Sequence, residues 1–278
     1  MNELFVMSLR AKHRSEGTIR EYAKAIDNCL EYVNKPEAEI KPIDLELWQS
    51  SMSNLSSASV AQRTSAIREY FKFLYRNEFI NRNPAETLEA PQIKNREQSA
   101  LNGEQVRAMV NAATNKRNKA IIMMLAQTGL RIHELANITL EQYESRSNNI
   151  LVIRGKGDKD RLVGLADETI ELIDSYIANE RKDGCEYLFV GNRGNKMDGK
   201  NTSAMLKVCA RKAGIENWEE LHISNHTMRR TFATMMSEAD VPIEVISKAM
   251  GHSGIQITSR YVKRTEQRAV NAMSVVNF

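Results

Sequence analysis

The chain has 278 residues, 42% hydrophobic and 27% charged, a balance that suits folded domains with polar surfaces and a length that suits two. No run reaches the roughly 18–20 apolar residues of a membrane-spanning helix, and Met1-Asn2-Glu3-Leu4-Phe5 lacks the basic region and small-residue cleavage site of a secretory signal. The net charge of +4 permits a nucleic-acid partner without demanding one: residues 1–95 sum to zero, and residues 96–278 carry the whole excess.

In chain order, residues 1–14 read as a short, frayed helical lead. Ser15-Glu16-Gly17-Thr18 offers a helix start, and Ile19, Tyr22, Ala23, Ile26, Leu30 and Val33 come after it at three- and four-residue spacing. Pro36 ends that helix. A second begins at Ile40-Lys41-Pro42-Ile43-Asp44, with Leu45, Leu47, Trp48 and Met52 for its core. Ser56-Ser57-Ala58-Ser59 caps a third, running through Val60, Ile67, Tyr70, Phe71, Leu74 and Tyr75, and Asn83-Pro84 stops the helical segment beyond it. About four helices make residues 1–90 a compact all-α domain. The polar, aperiodic stretch 91–99 reads as a linker, which leaves 100–278 as a second domain.

That domain opens with helices over Val106–Ala113 and Asn118–Ala126, broken at Thr128-Gly129 and resumed at Leu130. Ile150–Ile153 and Arg161–Leu165 read as strands of an antiparallel hairpin around the turn Gly155-Lys156-Gly157-Asp158-Lys159-Asp160. Asp167–Arg181 is a helix, and Tyr187-Leu188-Phe189-Val190 a short strand. From Thr202 the chain is helical in pieces, broken at Gly214, near Asp240-Val241-Pro242 and at Gly251. The fold class is mainly α with one small sheet. Cys29, Cys185 and Cys209 are odd in number and far apart, fit no disulfide framework or zinc pattern, and read as packed, reduced thiols.

Four separated stretches carry the chemistry. They are Thr128-Gly129-Leu130-Arg131-Ile132-His133-Glu134-Leu135, then Gly155-Lys156-Gly157 with Lys159 and Arg161, then His226-Thr227-Met228-Arg229-Arg230, and finally Met250-Gly251-His252-Ser253 with Arg260-Tyr261-Val262. Singly each is weak: Gly-Lys-Gly is an ordinary hairpin turn, and a His-x-x-Arg pair is usually a solvated helix face. Together, in this order, they resemble the arginine box, hairpin lysine, His-x-x-Arg box and terminal tyrosine box of the tyrosine recombinase (lambda-integrase type) family, in its short two-domain Xer-like form. The N-terminal helices are similar to that family's core-binding domain only in length and pattern. Arg230 stands where a second His is common, Asn225 where Pro often precedes the box, and Met250 where Leu is frequent.

The resemblance implies a two-domain C-shaped clamp on DNA, and a strand transferase that cleaves and rejoins DNA through a 3′-phosphotyrosyl intermediate and a Holliday junction. Its catalytic residues would be Arg131, Lys156, His226, Arg229, His252 and Tyr261, with Glu134 supporting. The residue types suit the chemistry. Charge building on a phosphodiester's oxygens calls for planar, bidentate guanidiniums, here Arg131 and Arg229. A tyrosine with an ordinary pKa of about 10 needs cations to favour its phenolate. His226 suits proton exchange with that tyrosine, Lys156 suits protonation of the departing 5′ oxygen, and His252 suits a hydrogen bond to the phosphate. Arg63, Arg68, Lys72, Arg76, Lys159, Arg161 and Arg230 are expected DNA contacts, Lys159 and Arg161 as backbone contacts or solvated hairpin charges. His13, His133 and His222 match no box and are left as surface or core residues. Neither a metal nor ATP is required, since the phosphotyrosyl ester keeps the bond energy of the broken phosphodiester, and no cofactor is expected.

The expected partner is double-stranded DNA bearing short inverted repeats, in the cytoplasm and at the nucleoid. Dimers and tetramers would form on that DNA, with the apolar tail 269–278 docked on a neighbouring protomer or packed on its own domain, and a directionality factor could take part. With no arm-binding domain ahead of the helical module, the simpler two-domain type is favoured. Type IB topoisomerase-like relaxation, a catalytically silent DNA-binding accessory protein and a phosphotyrosine-forming hydrolase of small substrates are the competing readings.

Overall fold

The computed structural model describes residues 2–92, 100–154 and 160–251. The chain divides into two compact units, residues 1–96 and 97–278, each built on its own apolar core. The stretch 91–99 straddles this division, and residues 93–99 lie outside the described ones.

The first unit is all helix: α1 (Asn2–Ala11), α2 (Glu16–Val33), α3 (Pro42–Ser50) and α4 (Ser57–Arg76), with a short 3-10 turn at Glu37–Glu39. Local chemistry sets the ends. Ser15 and Ser56 each accept a backbone N–H from the first helical turn, satisfying donors with no partner inside the helix. Asn34 closes α2 in the left-handed region at φ 48°, and Pro42 sits where its missing N–H costs nothing. The lead segment is a true helix rather than a frayed one, because Phe5 and Leu9 sink into the core. Phe5 meets Tyr70 edge-on, with ring centroids 5.4 Å apart. Trp48 is fully buried and still places its indole N–H 3.1 Å from Asn28 Oδ1, so its polar atom is not stranded.

The second unit holds α5 (Gly103–Ala112), α6 (Lys116–Thr128), α7 (Ile132–Asn137), α8 (Leu140–Glu144), β1 (Ile150–Arg154), β2 (Asp160–Gly164), α9 (Asp167–Asn179), α10 (Gly199–Lys212), α11 (Asn225–Glu238) and α12 (Ile243–Met250). Helix α6 is its spine. Ile121, Ile122, Met124 and Leu125 are all buried, as expected of a helix apolar around most of its circumference, and α5, α9 and α11 pack against it. The antiparallel hairpin pairs Ile150 with Gly164 and Arg154 with Asp160. Alternation puts Leu151, Ile153 and Val163 inside, and leaves Ile150, Val152 and Leu162 outside.

The expected strand at Tyr187–Val190 is not one. Its backbone makes only isolated bridges, Tyr187 to Thr139 and Val190 to Lys196. Leu188 and Phe189 are both fully buried, but among the described residues no neighbouring strand takes up a ladder with this segment. Backbone groups there find other partners, Leu188 N–H the Ile138 carbonyl at 2.8 Å and Val190 N–H the Tyr176 hydroxyl at 3.1 Å. Among the described residues no helix is long and apolar enough to cross a membrane, and Cys29 and Cys209 are buried as free thiols.

Candidate active site

Three segments meet at the site: the α6–α7 turn, the first turns of α11, and the end of α12. Helix α6 stops because Gly129 enters the left-handed region at φ 59°. A Cβ there would run into the Phe232 ring of α11, so both conformation and space require glycine. Leu130 is buried, and Arg131 then takes the extended N-cap position of α7. Glu134 reaches back to it. Glu134 Oε2 accepts the Arg131 backbone N–H at 2.6 Å, and Oε1 accepts Arg131 Nη1 at 3.1 Å. The other arm of the guanidinium, Nη2, donates to the Gly251 carbonyl at 3.1 Å.

Arg161 corrects the sequence reading. It is not a solvated hairpin charge: its side chain is only 11% exposed. It lies on the inner face of β2 with Val163, and donates Nη1 to Glu134 Oε1 at 2.8 Å and Nη2 to Oε2 at 2.9 Å. The Glu134 carboxylate, 1% exposed, therefore takes four donors from two arginines. Burial pushes its pKa up, but hydrogen bonds from Arg161 and the Arg131 backbone, with both cations' fields, outweigh that and hold it down to about 2.

On α11, Ser224 is the extended N-cap and His226 stands in the first turn, where the helix dipole disfavours a cation. The His226 side chain is exposed, yet its pKa is lowered, first by the desolvation of the protein mass beneath it and then by Arg230, Arg229 and Arg131. Arg229 is buried, 4% exposed; it donates Nη1 to the Gly129 carbonyl and Nη2 to the Met250 carbonyl. Arg230 is also buried and donates to Thr227 Oγ1 at 3.1 Å. Asn225, in the place where Pro is frequent, fastens the start of α11 to α10 through Nδ2, which donates to the Gly199 carbonyl at 3.0 Å and Ser203 Oγ at 2.8 Å.

Arg131, Glu134, His226, Arg229 and Arg230 are thus gathered, with Arg161 added to them. Lys156, Lys159, His252 and Tyr261 lie outside the described residues. His13, His133 and His222 are exposed or partly so, and none joins this cluster. On α4, Arg68, Lys72 and Arg76 are exposed at four-residue spacing and form one stripe. Arg63 is roughly 140° away around the helix from Arg68, half-buried with Nη1 3.6 Å from Met52 Sδ, and does not join that stripe. Sequence reasoning missed two things. One is Arg161 as the carboxylate's partner, whose only signal is that it alternates onto the inward face with Val163. The other is the set of backbone carbonyls of Gly129, Met250 and Gly251, which no side-chain motif encodes.

Residues 99–268 match the Phage integrase family, and residues 3–78 match the phage integrase N-terminal SAM-like domain. The chain belongs to the phage integrase family, the tyrosine recombinases, and is a DNA strand-transferring enzyme of that class. It is 30% identical over 274 residues to the tyrosine recombinase XerA of Pyrococcus horikoshii, covering 98% of this chain and 91% of that one. Its fold is like that of a lambda integrase (75–356) dimer bound to a COC′ core site, with a TM-score of 0.77 at 14% identity and 95% of each chain covered. It is also like that of XerH site-specific recombinase bound to palindromic difH substrate in a post-cleavage complex, with a TM-score of 0.73 at 22% identity, covering 92% of this chain and 79% of that one.

Proposed function

We propose that the chain is a site-specific DNA recombinase, acting on duplex DNA that carries short inverted repeats through a covalent 3′-phosphotyrosyl intermediate. The observation that carries this reading is the convergence of Arg131 and Arg229 on adjacent carbonyls, Gly251 and Met250, at the end of α12. Two planar cations held side by side can each offer paired donors to a phosphate's non-bridging oxygens, where charge builds in the transition state. Tyr261 Oη would attack the phosphorus while the bond to the 5′ oxygen breaks. The tyrosine proton would pass to neutral His226, and the 5′ oxygen would take a proton from Lys156. His252 would hydrogen-bond the phosphate.

The phosphotyrosyl ester retains the energy of the broken bond, so a 5′ hydroxyl from a second duplex can reverse the step and join strands through a Holliday junction. The remaining parts of the reading are a clamp of the 1–90 and 100–278 domains joined by the 91–99 linker, backbone contacts from Arg68, Lys72 and Arg76, a tetramer on two sites linked by its tails, and a nucleoid location. The DNA-bound dimer of lambda integrase and the palindromic substrate of XerH support a symmetric, dimeric half-reaction.

The test selects bound duplexes from a randomised pool, then nicks the recovered repeat so that cleavage cannot be reversed. A denaturing gel should then show an adduct with wild type and none with Tyr261→Phe. An adduct that persists with Tyr261→Phe would place the nucleophile elsewhere. Binding with no adduct from either protein would favour a silent accessory protein, and plasmid relaxation without recombinant product would favour topoisomerase-like action.

A further inference from the structure

We infer that Arg161 is a positioning residue of the strand-transfer site: through its two-pronged pairing with Glu134 it sets the orientation and net charge of the Arg131 clamp, rather than contacting DNA. This rests on the reading that Arg131 grips the scissile phosphate. Arg131 and Arg161 share one carboxylate, each Glu134 oxygen taking one donor from each residue, and the Arg131 donor to Oε2 is its backbone N–H. With Arg161 holding both oxygens, Glu134 needs only Nη1 of Arg131 from that side chain, and Nη2 reaches Gly251.

Charge makes the same point. One carboxylate between two guanidiniums leaves the cluster at +1, available to an anionic phosphate. Without Arg161 the Arg131–Glu134 pair sums to zero, and a buried carboxylate with two lost donors draws Arg131 toward itself. Lysine would restore the charge but, as a point donor, could not hold both oxygens in the plane of a fork. Space is equally confined: a Cβ on Gly251 would lie 2.8 Å from Arg161 Nη1. The group is therefore wedged between Glu134 and the end of α12 and has little room to swing toward DNA.

The experiment measures single-turnover cleavage of the selected, nicked duplex by wild type, Arg161→Gln, Arg161→Lys, Glu134→Gln and the Glu134→Gln/Arg161→Gln pair, with DNA affinity and thermal melting in parallel. Both Arg161 variants should bind DNA within about three-fold of wild type and cleave at least roughly ten-fold more slowly. The rate of Arg161→Gln should gain a second acid limb beside the one wild type shows, as Glu134 becomes protonated, and that added limb should vanish in the double variant. A merely structural role would not move a pH profile. Full-rate cleavage by Arg161→Lys would overturn the assignment, because the fork would be dispensable. Affinity lost in step with rate would also overturn it, making Arg161 a DNA contact. Wild type is the control: its failure to cleave would strike the recombinase reading itself, and the assignment with it.

Discussion

A buried carboxylate shared by two arginines ties stability to pH, and Glu134 sets the sign. Its folded pKa of about 2 lies below the ordinary 4.5, so its contribution is fully present above pH 4.5 and drains away as pH falls toward 2, on the order of 3 kcal/mol in all. Melting Glu134→Gln across that range should remove most of this acid-dependent loss, while lowering stability at neutral pH because two arginines lose their counter-charge. His226 acts in the same direction for chemistry. In the proposed step neutral His226 accepts the tyrosine proton, and its pKa is lowered from 6.5, so the acid limb of the cleavage rate should fall below pH 6.5. A limb at or above 6.5 would assign it to another group. Arg229→Lys should cut cleavage by roughly a hundred-fold with DNA affinity nearly kept, since a point charge cannot replace two directed donors.

At the scale of elements, the left-handed cap between α6 and α7 places Arg131 at the start of α7 and aims the Gly129 carbonyl at Arg229. Gly129→Ala combines backbone strain with a Cβ against the Phe232 ring, and should lower stability by about 2 kcal/mol or more. It should also displace the carbonyl that accepts from Arg229. Adding Phe232→Leu should recover the steric share in a thermal melt and leave the strain. Helix α4 shows the opposite case, where sequence order misleads about geometry. Arg63, Arg68, Lys72 and Arg76 look like one basic run, yet helical rotation places only the last three together. Replacing those three by Ala should reduce the slope of log affinity against log salt by roughly three, whereas Arg63→Ala should change it little.

For the whole molecule, two separate cores mean two separable sources of stability. Trp48→Ala empties the centre of the first unit and should cost that unit about 3–5 kcal/mol, read as an earlier transition in calorimetry, with the second unit's transition unmoved. The small sheet gives one face to the core, through Leu151, Ile153 and Val163, while Ile150, Val152 and Leu162 face outward. It also carries Arg161 to Glu134.

The sequence by itself determined the helical periods, the caps at Ser15 and Ser56, the hairpin and the family of the chain, because those depend on local spacing and residue type. It also pointed to Arg131, Glu134, His226 and Arg229, which the folded chain brings together. Tertiary structure alone decided the rest. A short apolar run made Leu188-Phe189 look like a strand, but the fold pairs the backbone there with the Ile138 carbonyl and the Tyr176 hydroxyl instead of a neighbouring strand. A charged residue on a hairpin looked solvated until the fold placed a buried carboxylate opposite it. Residues 134 and 161 are 27 positions apart and meet only in the fold, where β2 packs on α12, and the carbonyls of Gly129, Met250 and Gly251 meet the arginines because α6 and α12 both end there. Long-range packing sets which charges are shared and which backbone groups are aimed, and no local pattern carries that information.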